Sequence, residues 1–250
     1  MKVVLKYISS IAVILSIISC ESTTEPIKIA EKKPFMSLSV GDIRQYLNET
    51  EGFYMQIVVL DTTKRIDGKT VFALEESIIF PDAIFKATNY YFINSEYFIQ
   101  TELDTVRTSA INYENPFYEK RLAKIYPNEG DYFLMMIGDV DSAKVFFSVN
   151  IIDSLETPAK TFKNVAEYKK NDSDTTRNLR IFYTQVFGHI GLLFGNQNGF
   201  AKVYATYLKV GTNELGVYIP FNYPNNQIRI KKHSIIRSLF LSNPKLELNY

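Results

Sequence analysis

Catalysis needs a reactive side chain and a partner to poise it, and this sequence offers few of either. It holds one cysteine, Cys20, and two histidines, His189 and His233. A nucleophilic Ser or Cys would depend on one of those two bases, and no Gly-x-Ser-x-Gly surrounds any serine. His189 stands in Gly188-His-Ile-Gly191 between apolar runs and reads as a turn histidine. His233 follows Lys231-Lys232 and reads as a solvated one. There is no His-Glu-x-x-His and no histidine pair at ligand spacing. One cysteine also excludes a Cys-based zinc site and an internal disulfide. Among the carboxylates, Glu75 and Glu76 are adjacent, so on a strand they face opposite sides and cannot act as a pair. Asp139 and Asp141 would share a face, but the further oxygens, the glycine and the distal Glu of a calcium loop are missing. The segment from Gly188 to Gly195 lacks the spacing of a dinucleotide fingerprint. A glycosidase pair brought together by the fold stays open, although the absence of Trp weighs against a sugar-stacking cleft. No cofactor and no metal are expected.

The cysteine has a different chemistry available. Lys2 and Lys6 precede a mostly aliphatic, uncharged run from Ile8 to Ile18, and Ser19 leads into Cys20. This is a secretory signal, too short for a membrane span of about 20 apolar residues. Ile17-Ile18-Ser19-Cys20 resembles the lipobox of bacterial lipoproteins, with Ile17 where Leu is usual and a bulky Ile18. The resemblance implies that the Cys20 thiol is alkylated by diacylglycerol, that the chain is cut before Cys20, and that the freed amine is acylated. Two or three acyl chains anchor a protein stably where one does not. Residues 1–19 are then the signal peptide, and residues 20–34 are a polar tether with an r.m.s. reach of roughly 20 Å.

Charge and composition narrow the class. The net charge is +1 and 46% of residues are hydrophobic, so the chain folds and lacks the basic footprint of a nucleic-acid binder. The expected contacts are a membrane, through the lipid anchor, and an envelope protein. The expected location is the bacterial cell envelope, with the outer membrane first in order. In the tail, Arg229, Lys231, Lys232 and Arg237 form the one basic cluster and read as a solvated edge, with a lipid-headgroup contact as the alternative.

The elements that would position any site are strands. With 18 Phe and 17 Tyr, the composition favours β-structure. Gly52–Leu60 and Thr70–Leu74 flank an Asp67-Gly68 turn, and Tyr90–Ile93 and Tyr97–Thr101 flank Asn94-Ser95-Glu96. Similar runs follow at 132–137, 144–152, 162–169, 179–186 and 200–210. The expected fold is all-β and mainly antiparallel. It is either one curved sheet or half-barrel, or a two-sheet sandwich, of about ten to twelve strands with minor helix. Residues 114–125, rich in Glu, Lys, Arg and Leu, suggest a short helix or an irregular connection, and residues 233–241 a second short helix. The β-rich domain is placed at 35–218 and a C-terminal extension at 219–250.

Phe35-Met-Ser-Leu-Ser-Val-Gly-Asp-Ile-Arg-Gln-Tyr46 resembles the opening of a family of β-rich bacterial lipoproteins without assigned activity. Leu38, Val40, Gly41 and Tyr46 fit its Pro-Leu-x-Val-Gly and Trp-x-Tyr pattern, with Arg44 where Trp is usual. Asp61 to Lys69 looks like the family's second hairpin, Phe162 to Val165 with Tyr168 like its Phe-x-Asn-Val strand, and Gly188 to Leu193 like its late glycine segment. The resemblance implies a β-fold and an envelope location, and brings no catalytic residues. The functional reading is therefore a non-enzymatic binding or structural module. The alternatives are a carrier or sensor for a hydrophobic ligand in a curved-sheet cavity, and a periplasmic hydrolase built on scattered carboxylates.

One pattern exceeds composition. Eleven Asp occur and six are followed directly by Ser or Thr. Five of these pairs continue with a small or aliphatic residue, giving acceptors Thr62, Thr105, Ser142, Ser154 and Thr175 in a pattern resembling the O-glycosylation sites of exported proteins in some Gram-negative bacteria. The competing reading is turn chemistry. If the sites are modified, intact-mass analysis of the protein from its native host will exceed polypeptide plus lipid. A mass accounted for by those two alone assigns the pattern to turns.

Overall fold

The computed structural model describes residues 33–81, 83–106, 117–134, 136–137, 146–170, 178–196, 199–221 and 228–230. Among them there is no helix; the chain forms one sheet. A first antiparallel meander runs through β1 (Ile43–Asn48), β2 (Phe53–Lys64), β3 (Thr70–Ile79), β4 (Ile84–Ile93), β5 (Tyr97–Val106) and β6 (Phe117–Lys124). Two short strands follow, β7 (Tyr132–Leu134) and β8 (Met136–Ile137). A second meander comprises β9 (Phe146–Glu156), β10 (Thr161–Lys170), β11 (Leu179–Thr184), β12 (Gly188–Asn196), β13 (Gly199–Val210) and β14 (Asn213–Gly216). Last comes β15 (Ile228–Ile230), which lies parallel to β4.

Two pairings make a barrel of these meanders. β13 lies antiparallel to β1 and joins them on one side. On the other side β7 pairs with β9, while β8 pairs with β6. The stretch 132–137 thus belongs to both remaining edges, and the sheet curls into a nearly closed, antiparallel barrel. Eleven of the strands are six residues or longer. The short helix or irregular connection expected over 114–125 is instead β6 from Phe117 onward, because pairing with β5 along Tyr97–Val106 outweighs a helix-favouring composition. The second expected helix, 233–241, lies outside the described residues.

Local chemistry sets the turns. Asn48 Oδ1 accepts from the amides of Thr50 and Glu51, both at 3.0 Å, and closes the β1–β2 connection. Asn94 Oδ1 does the same for Glu96 and Tyr97 between β4 and β5. The Gly68 amide donates to the Arg65 carbonyl at 2.8 Å in the β2–β3 turn.

Register then sorts the faces. Tyr46, Met55, Ile78 and Phe85 stand opposite one another on β1 to β4, and all four are buried in the interior. One residue away, Gln45, Gln56, Ser77 and Lys86 form the matching outer row. The second meander adds Phe147, Val149, Val165, Tyr168, Ile181, Ile190 and Leu192 to the same interior. Each such side chain removed from water contributes about 1.5–3 kcal/mol. An apolar interior with Lys, Glu and Gln outside is the reverse of the pattern in a barrel that faces lipid.

The segment before β1 seals one end. The Phe35 amide donates to Ile125 at 2.9 Å, and the Val186 amide in the β11–β12 turn donates to Pro34 at 3.5 Å. Gly188 fits here for two reasons: its φ is +73°, and a Cβ would lie 2.5 Å from Met36 Sδ.

The chain after β14 straps the outer face. The side-chain amide of Gln45 donates to the Ile219 carbonyl at 2.7 Å and accepts from the Ile219 amide at 3.0 Å, as a neighbouring strand would. Tyr218 packs on Tyr207, and Phe221 on Tyr54. Replacing Gln45 with Ala leaves the Ile219 backbone groups unpaired, a loss of about 1–3 kcal/mol. Q45A should be cut by protease within 217–221 well before the rest of the barrel. Equal resistance of Q45A and wild type would show that the rings alone hold the strap.

Candidate functional site

The polar side chains with the greatest chemical potential face inward. Glu76 lies on β3 opposite Ile57 and Ala87 and is 2% exposed. Its carboxylate accepts from the Tyr91 hydroxyl and, at 2.7 Å, from Asn89 Nδ2, both on β4. Its neighbour Glu75 faces the other way and pairs with Lys86 Nζ at 2.8 Å. The two carboxylates are separated by the sheet, as strand alternation requires. Tyr91 stacks on Phe98, and its hydroxyl is held well above the usual phenol range, by burial first and then by the charge of Glu76.

A second cluster joins β1 to the β11–β12 hairpin. The register of β11 and β12 slips between Phe182 and Tyr183, which sets His189 opposite Tyr183. The His189 ring packs between Tyr46, 5.0 Å away, and Tyr183, 5.4 Å away. Tyr46 Oη donates to the His189 carbonyl at 3.1 Å, and His189 Nδ1 lies 2.9 Å from the same oxygen. Tyr46 has one proton, so both contacts are satisfied together when Nδ1 carries the ring proton, which assigns the neutral tautomer. Arg44, 1% exposed, donates to the carbonyls of Phe187 and Ser37, each at 3.2 Å, and lies 3.8 Å from Asp42. Asp42 in turn accepts the amides of Ser39 and Gly211.

The electrostatics of this interior favour neutral rings. Burial raises the hydroxyls of Tyr46, Tyr168 and Tyr183 above their ordinary values, and neighbouring Arg44 or backbone contacts offset part of it. His189 is pushed down to about 3, by burial first and then by the Arg44 charge, with the Gly191 backbone opposing. An unfolded histidine protonates near 6.5. The native state resists that proton, so stability from His189 is complete above pH about 6.5 and is lost as the pH falls toward about 3. Neutral at physiological pH and shielded, neither the tyrosines nor His189 offers a ready acid or nucleophile. Glu76 meets the hydrogen-bond donors Tyr91 and Asn89. Among the described residues, no group of three or more His, Cys, Asp or Glu converges as a metal site.

A third buried network lies at the tip of the β2–β3 hairpin. Arg65 binds Asp67 through Nε at 3.0 Å and Nη2 at 2.6 Å, and Nη1 reaches Glu119 at 2.7 Å and Thr101 at 3.0 Å. Arg65 holds Asp67 down at about 2. Arg65 and Lys69 both sit over the Phe92 ring, which packs with Val71 and Ile99 in a small second apolar cluster. These groups clamp the hairpin onto β4, β5 and β6.

The structure places the residues singled out in the sequence as follows. Thr62 on β2 and Ser154 on β9 are exposed. Thr105 falls on β5 with its side chain outside the described residues. Cys20, Asp139, Asp141, Ser142, Thr175, His233 and the basic residues Lys231, Lys232 and Arg237 also lie outside them; Arg229 is in β15. His189, read as a turn residue, is the second residue of β12 with its ring against Tyr46. The flanking glycines suggest turns and close strand packing, and Gly191 serves the packing: a Cβ there would lie 2.6 Å from the Tyr204 ring. Sequence reasoning missed Arg44, Tyr91 and Arg65, whose roles depend on register between distant strands.

The sequence matches no family model and no curated protein. Two solved structures are similar. One is a Bacteroides fragilis protein described as exported with a YMCC-like fold, 10% identical, with a TM-score of 0.38 over 70% of this chain and 97% of that one. The other is a Parabacteroides distasonis protein described as a lipoprotein, 13% identical, with a TM-score of 0.33 over 69% of this chain and 96% of that one.

Tyr91→Phe tests whether the interior carboxylate depends on its donors. Loss of the hydroxyl should cost about 1–3 kcal/mol, seen as a lower denaturation midpoint with unchanged slope. A midpoint equal to wild type would mean that Glu76 is satisfied without Tyr91.

Proposed function

We propose that the protein is a lipid-anchored lipoprotein of the bacterial cell envelope, carried at the outer membrane, whose barrel is a non-enzymatic binding or structural module. The observation that carries this reading is the placement of the only cysteine, Cys20, directly after a charged, aliphatic leader and the small Ser19. The barrel supports the module over the carrier and the hydrolase. Its interior is lined by Tyr46, Phe147, Tyr168 and Ile190, all fully buried. The inward Glu76 is bound by Tyr91 and Asn89. Recognition then falls to the outer face and the loops. The exposure of Thr62 and Ser154 is compatible with their serving as glycan acceptors.

Metabolic labelling with palmitate tests the anchor. Wild type should carry label and partition into detergent with Cys20 at its mature N-terminus, while Cys20→Ala should lose both label and partitioning. Label retained on C20A, or an N-terminus elsewhere, would overturn the reading.

A further inference from the structure

The outer face of the second meander carries a line of cations bounded by flat rings. The register of β7, β9, β10, β11, β12 and β13 places Tyr132, Ser148, Lys169, Arg180, Leu193 and Lys202 side by side in one transverse row. At ordinary strand spacing such a row spans about 24 Å. At one end Tyr132, 64% exposed, stacks on Phe146 with centroids 4.9 Å apart and planes 7° from parallel. Toward the other end Phe200, 40% exposed, lies under the Arg180 guanidinium at 5.5 Å. Glu167 is buried behind the row and holds Lys169 Nζ at 3.0 Å and Arg180 Nη1 at 3.3 Å. One carboxylate therefore positions two cations, and with exposed Lys202 the row is left net positive. Glu49, just past β1, is near enough to Tyr204 to act on its hydroxyl.

We propose that this row docks an anionic polysaccharide, with the cations pairing its carboxylate or sulfate groups and the outer rings stacking on its sugar faces. This supplies a partner class for the binding module proposed above. Charge complementarity sets the sign of the ligand. Rings at each end of the charged line suit a chain that alternates flat apolar sugar faces with acidic groups, and Tyr and Phe need no cleft to provide that stacking.

Titration of the full-length C20A chain with polygalacturonate and with heparin, against neutral dextran, tests the proposal. Binding to an acidic glycan that weakens with salt is expected, with no binding to dextran. Lys202→Ala and Arg180→Ala should each weaken it about threefold to fivefold. Tyr132→Ala should lower the affinity that survives at high salt, and Lys163→Ala, an exposed cation outside the row, should leave it unchanged. Lack of binding to both acidic glycans, equal binding to dextran, or insensitivity to K202A would overturn the proposal. So would tighter binding to phosphatidylglycerol vesicles than to either glycan. The chain carries no lipid in this experiment, so failure here leaves the anchor reading standing, and failure of palmitate labelling leaves this one standing.

Discussion

A sheet that curls until its two edges share one segment takes every inward side chain out of water. Here that segment is 132–137, paired through Tyr132–Leu134 to β9 and through Met136–Ile137 to β6. The closure makes the interior a core, and a core favours a rule: most polar groups in it find a partner inside, with His189 Nε2 and Arg44 Nη1 as exceptions among the described residues. Tyr168, fully buried on β10, shows the rule acting across the seam, since its hydroxyl donates to the Lys124 carbonyl of β6 at 3.0 Å. Tyr97, Phe133, Phe147 and Tyr168 pack ring against ring along the same seam.

The inward polar residues follow from that rule. Glu76 would be costly alone in the interior, and Tyr91 and Asn89 donate to it. His189 would be charged in water below pH about 6.5, and the barrel keeps it neutral between two tyrosines. Burial favours the neutral forms of Tyr46, Tyr183 and His189. What distinguishes this molecule chemically then lies on its surface: an outer face where Glu167 binds two cations between exposed rings.

Much of the fold was legible because hairpins are local. Asp67-Gly68 and Asn94 announce their turns, and the long Phe- and Tyr-rich runs are the strands. The opposite facing of Glu75 and Glu76 followed from strand alternation alone. Other features depend on partners far away in the chain. Residues 117–124 have helix-favouring composition, and only β5 and β8 decide that they are extended. Gly188 and Gly191 suggest turns and close packing, but not the partners, which are Met36 for the first and Tyr204 for the second. Arg44 occupies a position where an aromatic is usual in the family that this sequence resembles, and its burial is supported by carbonyls from Ser37 and Phe187, which no spacing in the sequence could reveal. The candidate site was legible only in its residue types, since register between strands brings Tyr46 to His189 across 143 positions of sequence.

The central claim is that the barrel interior is a buried core that keeps His189 neutral. The ring nitrogens of His189 report on it most directly. In ¹⁵N NMR spectra of the folded protein between pH 7 and 5, the ring should remain neutral with its proton on Nδ1 throughout. Titration of His189 near its ordinary value of about 6.5, with the barrel still folded, would show that water and protons reach the interior and would contradict the account.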